Sequence, residues 1–398
     1  MKTRKTLIFP LLLLPIAIMA EDWPCFRGPE GNGFSVENKI PTQLKKAWKV
    51  ALPGRGLSSP ITIGNMVFVT ASSGNIQDRL HVFCFDGDKG TTLWERQFWS
   101  TGRTMSHKKT NIAAPTPVSD GKYIYALFSC NDLVCLDLEG NLQWLRGLTR
   151  DYPNASNSLG MASSLLVTGK TLIVQIENDS QPLAIGIDTI NGRNRWKLPR
   201  PKSANWTTAN LLPGAGKRGK TLVALQSKDG IHAVDPANGK TEWAYEEGAS
   251  TIPSSTRMGN ILLVPSHGLT ALKPRHDGST YTQLWRVTKL RPATASPTIA
   301  NGKIYNVNGA GVLSCVNPRE GKTLWQLRLK GPFSGSPVAA GRHLYYFNEA
   351  GLGQVIDSGG TEGKIVGKVD LGETILSTPA ISNGALFVRS DDHLWKLN

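Results

Sequence analysis

Two stretches of the 398-residue chain, and its scattered histidines and cysteines, carry residue types capable of chemistry. Gly214 to Thr221, "GAGKRGKT", fits the G-x-x-x-x-G-K-[ST] spacing of a phosphate loop. Such a loop needs a strand before it and a helix after it, whose first amides hold the phosphates. Here "TLVALQ" follows, a strand-forming run, so the match reads as an ordinary turn. His232 to Trp243, "HAVDPANGKTEW", gathers Asp, Asn, Gly and Lys between apolar runs in the manner of an active-site loop. The seven histidines (His81, His107, His232, His267, His276, His343 and His393) show no H-x-x-x-H spacing, and no C-x-x-C accompanies them. Neither a metal site nor a catalytic set is expected. The five cysteines are an odd number and do not make a disulfide framework. The pairing of Cys25 and Cys130 stays open.

The second stretch is not unique. It aligns with "FCFDGDKGTTLW" ending at Trp94, "GIDTINGRNRW" ending at Trp196 and "SCVNPREGKTLW" ending at Trp325. A shorter copy ends at Trp144, a longer one at Trp285, and a seventh has Gly367 where the tryptophan would stand. A unit of this length, about 40 to 50 residues, is a four-stranded propeller blade. Each copy opens on small residues ("SSP", "SSL", "ASP", "GSP", "STP"). An apolar strand, a Gly turn, a second β-branched or aromatic strand and a third strand running into the Asp follow. Asp235 to Gly239 is then a turn, with Asp bonding its own backbone and Asn-Gly taking the positive φ. The tryptophan heading the fourth strand covers the neighbouring blade and buries about 150 to 250 Å². Trp48, Trp94, Trp144, Trp196, Trp243, Trp285 and Trp325 fall at this position. Cys84, Cys135 and Cys315 all occupy one small-residue position of the repeat and read as core.

The two chain ends set the blade count. The last copy stops at Asn398, in the Asp position, without a fourth strand, and "AWKVAL" at Ala47 to Leu52 is an unpaired strand with Trp48 in register. Joining them closes a ring and removes open sheet edges. The expected fold is an all-β, eight-bladed propeller of four-stranded antiparallel blades, closed by an N-terminal strand that completes the last blade. Trp395, in the third strand of that blade, reads as core.

Residues 1–20 read as a signal peptide, with Lys2, Arg4 and Lys5 before an apolar run too short for a membrane span. Residues 21–45 form an arm containing "WPCFRGPEGNG", and residues 46–398 the propeller. In the arm, Trp23, Phe26 and Phe34 read as anchors and Arg27, Gly28 and Gly31 as loop. Asp22-Trp23-Pro24 before Cys25 argues against a lipid anchor. The protein is expected to be exported, periplasmic or extracellular, and soluble, reaching a membrane only through a partner. The formal charge of +15 falls to +12 without the three basic leader residues, an excess that suits anionic partners. No aromatic interleaving of the single-strand-binding kind accompanies the basic stretches, so no specific nucleic acid is expected.

The repeat "AVDPANGKTEW" at Ala233 to Trp243 resembles the tryptophan-docking motif of quinoprotein alcohol dehydrogenases and their PQQ-like eight-bladed relatives, among them the β-barrel assembly factor BamB. The resemblance covers about residues 46 to 398. "DWPCFRGPEGNGFS" at Asp22 to Ser35 resembles the N-terminal tag of a secreted bacterial subgroup of these proteins. A dehydrogenase of the family implies PQQ between an aromatic floor and a disulfide of adjacent cysteines, with calcium on Glu, Asn and Asp ligands. This chain has no adjacent cysteine pair and lacks the long inserted loops, so no cofactor is expected; PQQ and calcium are the alternative.

What remains is a surface. The loops entering each first strand and those joining second to third strands share one face around the central opening. The richest of them offer Arg55, Arg103, His107, Lys108, Lys109, Tyr152, Trp206 and Arg291, cations beside aromatics that suit acidic groups. The expected function is a non-catalytic, monomeric propeller binding a protein or an anionic polysaccharide through this face. The alternative is a PQQ-dependent, or otherwise carbohydrate- or alcohol-active, enzyme.

Overall fold

In a computed structural model, residues 21–37, 39–155 and 159–398 are described. The expected leader therefore lies outside the described residues. The chain forms eight four-stranded antiparallel blades in sequence order. Blade one contains Ile61–Ile63, Met66–Ser73, Arg79–Asp86 and Thr92–Trp99. In blade eight, Ala380–Ser382, Ala385–Arg389 and His393–Leu397 are completed by Lys46–Ala51 from the N-terminal side. That closing strand is locked by reciprocal backbone hydrogen bonds between Lys45 and Asn398, of 2.7 and 3.0 Å. Trp395 is buried, as its place in the repeat requires.

The inner strands are buried on both faces because each blade packs between two neighbours; Ile61–Ile63, Val338–Ala340 and Ala380–Ser382 are buried throughout. The outer strands mix exposed with half-buried residues. Between the third and fourth strands every blade carries a register shift next to the tryptophan position, as between Cys84 and Phe85 or Lys46 and Trp48. A bulge of this kind re-aims the side chain, and here it lays the indole on the next blade's Asp-to-Gly turn. Trp48 donates to the Gly87 carbonyl (3.2 Å), Trp94 to Leu138 (2.8 Å) and Trp196 to Pro236 (2.8 Å). The turn glycine must stay bare: a Cβ on Gly90 or Gly239 would lie 2.8 or 2.6 Å from the indole above it. Cys84, Cys135 and Ala233 stand opposite Trp94, Trp144 and Trp243 in the same blade, where only a small side chain leaves room.

Two exceptions have local causes. Gly367 replaces the seventh tryptophan because the next blade's turn does not exist; its chain is broken there between the two termini. The linker fills the space instead. Gln43 donates to the Val366 carbonyl (2.7 Å), and a Cβ on Gly367 would lie 1.8 Å from the Thr42 carbonyl oxygen. Trp243 keeps its position but donates to Ala215 of its own blade (3.2 Å). The turn it would have covered, at Gly278, lies against Gly216 and Lys217 of the "GAGKRGKT" segment. That segment joins strands Asn210–Leu212 and Leu222–Ser227, and its Lys220 pairs with Asp235 at 3.1 Å. It is a structural turn, not a phosphate loop.

The arm is more than an irregular tether. Trp23 is fully buried and pairs its backbone with Thr62 of blade one, and the Pro24 carbonyl accepts from Ser119 of blade two. Phe34–Ser35 then adds a parallel strand to Val338–Ala340 of blade seven, and Glu37 receives the Asn383 and Gly384 amides of blade eight. Between these points the chain crosses the propeller axis. Arg27 lies in a turn, as expected, but its side chain is buried and donates to the Ser255 carbonyl (3.3 Å), to Thr256 Oγ1 (2.9 Å) and to the Pro297 carbonyl, tying the arm to blades five and six.

Candidate functional site

A cavity of about 420 Å³ lies on the axis, lined by residues from every blade and by Phe26 of the arm. At its waist is a closed ring of eight buried hydroxyls, one per blade. The Ser59 N–H donates to Thr116 Oγ1 (3.0 Å), Thr116 to Ser164 (3.0 Å), Ser164 to Thr208 (3.1 Å) and Thr208 to Ser254 (3.0 Å). Ser254 donates to Ser296 (2.9 Å), Ser296 to Ser336 (3.0 Å), Ser336 to Thr378 (2.9 Å) and Thr378 back to Ser59 (3.1 Å). Each side-chain oxygen thus satisfies an amide that would otherwise be buried without a partner. The small residues that open each repeat are this ring. The sequence displayed them as strand starts, and nothing in a single copy distinguishes a spacer from a ring member.

Two charged side chains stand behind the ring without an ion pair among the described residues. Arg27 donates to the carbonyls just beyond Ser254 and Ser296. On the opposite side, Arg389 donates to Ser58 Oγ (3.1 Å) and to the Thr70 carbonyl, with Gly56 pressed against its guanidinium. Burial pulls both guanidinium groups down to about 9, the expected response of a cation removed from water. Their Nε atoms have no hydrogen-bond partner.

The opposite end of the cavity opens among the entry loops, but the expected surface residues do not form one ring there. His107, Lys109 and Trp206 reach the cavity. Lys109 pairs with Glu349 of blade seven at 3.0 Å, so the 100–111 loop is held across part of the mouth. Trp206 donates to the Gly160 carbonyl (2.9 Å), joining two entry loops. Arg55 braces the same region through Asp391 (3.0 Å) and the Lys108 carbonyl (2.8 Å). Arg103 and Lys108 are exposed on the loop. Tyr152 lies apart from the cavity, bonded to Asn194 and under Lys197 of blade three's outer strand, and Arg291 borders a separate shallow recess beside His267.

The cavity offers hydroxyls, one imidazole, one ammonium and an apolar collar of Leu57, Ile252, Leu376 and Trp206. No carboxylate lines it among the described residues, so calcium held by Glu and Asp has no counterpart here. Nor do the described residues contain a cluster of metal-ligating side chains. All five cysteines are free. Desolvation pushes the Cys25, Cys84 and Cys135 thiols up to about 12, which disfavours the thiolate.

An eight-bladed propeller with tryptophan-docked blades is the PQQ-like class. Within it, the family model described as outer membrane protein assembly factor BamB matches residues 43–162, 153–262, 268–359 and 309–398, and the chain belongs to this family. The outer membrane protein assembly factor BamB of Moranella endobia (strain PCIT) is 26% identical over 144 residues, 36% of this chain and 32% of that protein. The match thus spans about a third of the relative's length. Among solved structures, BamB from Moraxella catarrhalis superposes with a TM-score of 0.66 at 16% identity, covering 89% of this chain and 99% of that one. A europium-containing methanol dehydrogenase superposes with a TM-score of 0.73 at 12% identity, over 95% and 98% of the two chains. The quinohemoprotein alcohol dehydrogenase of Comamonas testosteroni gives 0.71 at 12% identity, over 94% and 80%. At these identities the likeness is one of fold. No helix among the described residues is long and apolar enough to cross a membrane.

Proposed function

We propose that this chain is a non-catalytic, exported, monomeric propeller that docks a protein partner through the loop-rich face. The carrying observation is the contrast between the faces: one end of the channel is crossed by the arm, whereas the other presents the exposed cations Arg103 and Lys108 beside His107 on a braced loop. Such a patch favours an acidic protein segment. The curated relative's name, an outer membrane protein assembly factor, supports a protein over a polysaccharide. Capture of a reproducible partner from an envelope extract, abolished by R103E/K108E, is the expected result. Capture that ignores this double charge reversal overturns the assignment of the face.

The enzyme reading is tested separately, because quinoprotein dehydrogenases share the fold. Purified protein mixed with PQQ and calcium is expected to give no alcohol-dependent dye reduction. Turnover with a bound quinone absorption band would replace the docking proposal.

A further inference from the structure

We propose that the arm-side rim of blades three to five is a membrane-contact surface, whose unpaired lysines and arginines rest on the phosphates of an anionic lipid bilayer.

The surface grows out of two irregularities in the repeat. In an antiparallel blade the first-to-second and third-to-fourth turns lie at one end. This is the arm end, since Asp22 accepts from the Gly64 amide and Glu37 from the Asn383 and Gly384 amides. Most first-to-second turns there are tight, as between Ile63 and Met66 or Thr168 and Thr171. In blade four the connection instead runs from Leu212 to Leu222 and carries Lys217 and Arg218. It meets the third-to-fourth turn of blade five at Gly278, and that turn carries Arg275 just after Lys273. Arg218 has φ of +58°, a left-handed backbone that non-glycine residues rarely adopt. Its side chain makes no hydrogen bond or ion pair among the described residues, so nothing inside the protein accounts for the strain. An outlier of this kind points to use of the exposed side chain.

Pairing singles out this sector. Lys217, Arg218, Lys273 and Arg275 are exposed, as are Arg193 and Lys240 in the third-to-fourth turns of blades three and four. None of these six side chains makes an ion pair or hydrogen bond among the described residues. The carboxylates around them are occupied. Asp235 is held by Lys220 (3.1 Å), Asp188 by Arg195 (3.2 Å) and Glu242 by the Lys217 amide (2.9 Å). Asp277 accepts from the Ser279 amide and hydroxyl (3.0 and 2.7 Å). Farther round the same face, in the turns of blades one and two, the exposed Lys89 and Lys122 stand among Asp88, Asp120 and Glu139. The positive excess of the chain is therefore left uncompensated in one sector of this face, outside the channel.

The arrangement fits a plane of anions rather than a single one. The six cations come from the turns of three successive blades, and only Lys273 and Arg275 share a recess. No one phosphate or acidic side chain meets them together, whereas the headgroups of a bilayer do. An apolar residue then separates a bilayer from a soluble polyanion. Ile190 lies in the same turn as Arg193 and is 64% exposed. An aliphatic side chain held among cations loses its contact with water only where it enters the boundary between headgroups and acyl chains. Contact through this rim turns the mouth away from the bilayer and leaves it free for a protein partner. The inference thus adds a second surface to the docking proposal and does not depend on it.

Co-sedimentation of the full chain with phosphatidylcholine vesicles, with and without phosphatidylglycerol, tests the surface. A basic side chain near an anionic bilayer contributes about fivefold in affinity, and added salt screens it. The chain is expected to bind the anionic vesicles about tenfold or more tightly than the neutral ones, and to lose this margin in high salt. K217E/R218E and, separately, K273E/R275E are expected to weaken binding about tenfold or more, and Ile190→Ser about threefold, all with unchanged melting. K89E/K122E, which alters the net charge by the same amount, is expected to cost less than about threefold. So is R103E/K108E, whose loss of partner capture with vesicle binding retained keeps the two proposals distinguishable. Equal binding to the two kinds of vesicle, equal losses from the rim and control pairs, or displacement by inorganic phosphate at matched ionic strength overturns the proposal. Loss in K217E/R218E without loss in Ile190→Ser assigns the rim to a soluble polyanion and overturns the bilayer.

Discussion

At the arm end of the channel, Trp23 is fully buried, Arg27 reaches two blades on the far side, and a parallel strand continues onto blade seven. At the mouth, Arg103 and Lys108 are exposed, and the bracing comes from surface ion pairs such as Lys109–Glu349 and from loop-to-loop hydrogen bonds such as Trp206 to Gly160. Burial and buried hydrogen bonds hold the first end, and partly screened charges with a few loop-to-loop hydrogen bonds hold the second. The difference teaches where this propeller invests stability and where it leaves side chains available for recognition. Perturbing the first end is therefore expected to alter folding, and perturbing the second to alter binding.

The largest effect is expected from deleting residues 21–52, which removes the arm and the strand that completes blade eight. His393–Leu397 then becomes an open edge, and exposed edges invite pairing with other chains. The truncated chain is expected to aggregate or to lose cooperative melting, measured by size-exclusion chromatography and calorimetry. A soluble monomer with unchanged melting would contradict the closure of the ring.

Single substitutions separate the arm from the closing strand. From the repeat alone, Trp48→Ala is expected to cost more than Trp23→Ala, because Trp48 belongs to the docking set. The structure reverses this order: Trp23 is 0% exposed and packs in the largest core cluster, whereas Trp48 is half-buried on Gly90. Trp23→Ala is expected to cost about 3 to 5 kcal/mol, as for other buried aromatic truncations, and Trp48→Ala roughly half as much. Urea midpoints of the two variants check the order.

A smaller loss is expected from Gly28→Ala. Gly28 has φ of +77°, and an added Cβ would lie 2.8 Å from the Trp23 ring, so strain and overlap act together. About 1 to 3 kcal/mol is expected. Gly64→Ala, also at positive φ but facing open space, isolates the backbone contribution.

The propeller was legible in the sequence because its signal is repeated: a tryptophan, a small residue opposite it and a turn glycine recur in one order, so errors in single copies cancel. The Gly367 exception was visible as a lost tryptophan, whereas its cause, the linker laid over it at Thr42, was not. The arm was only partly legible. Its anchors Trp23 and Phe34 stood out as apolar residues, but Arg27 binds partners 228 to 270 residues away, and no local pattern encodes such contacts. Among the candidate surface residues, loop membership was readable and direction was not, which is why Tyr152 turns to the outer strand while Trp206 reaches the cavity. The hydroxyl ring was present in the text as "SSP", "ASP", "GSP" and "STP", but a small polar residue before a strand has the same appearance whether or not it faces an axis.

The smallest effect on stability, and the sharpest test of the contrast, is expected at the mouth. Lys109 is 55% exposed and Glu349 20%, so their pair is partly screened by water and resembles a surface ion pair, worth about 0 to 1 kcal/mol. Lys109→Gln is therefore expected to shift the urea midpoint by less than a tenth of the Trp23→Ala shift. It nevertheless releases the 100–111 loop from blade seven and leaves Glu349 to Ser334 alone, adding an unpaired carboxylate beside the opening. An acidic partner segment approaching the mouth then meets repulsion, so partner capture is expected to fall while melting stays put. Glu349→Gln removes the carboxylate and frees the ammonium, and is expected to raise capture of an acidic partner with equally little effect on melting. If both variants melted like Trp23→Ala, the mouth would be a structural element of the same kind as the arm, and the division of the channel into a folded end and a binding end would fail.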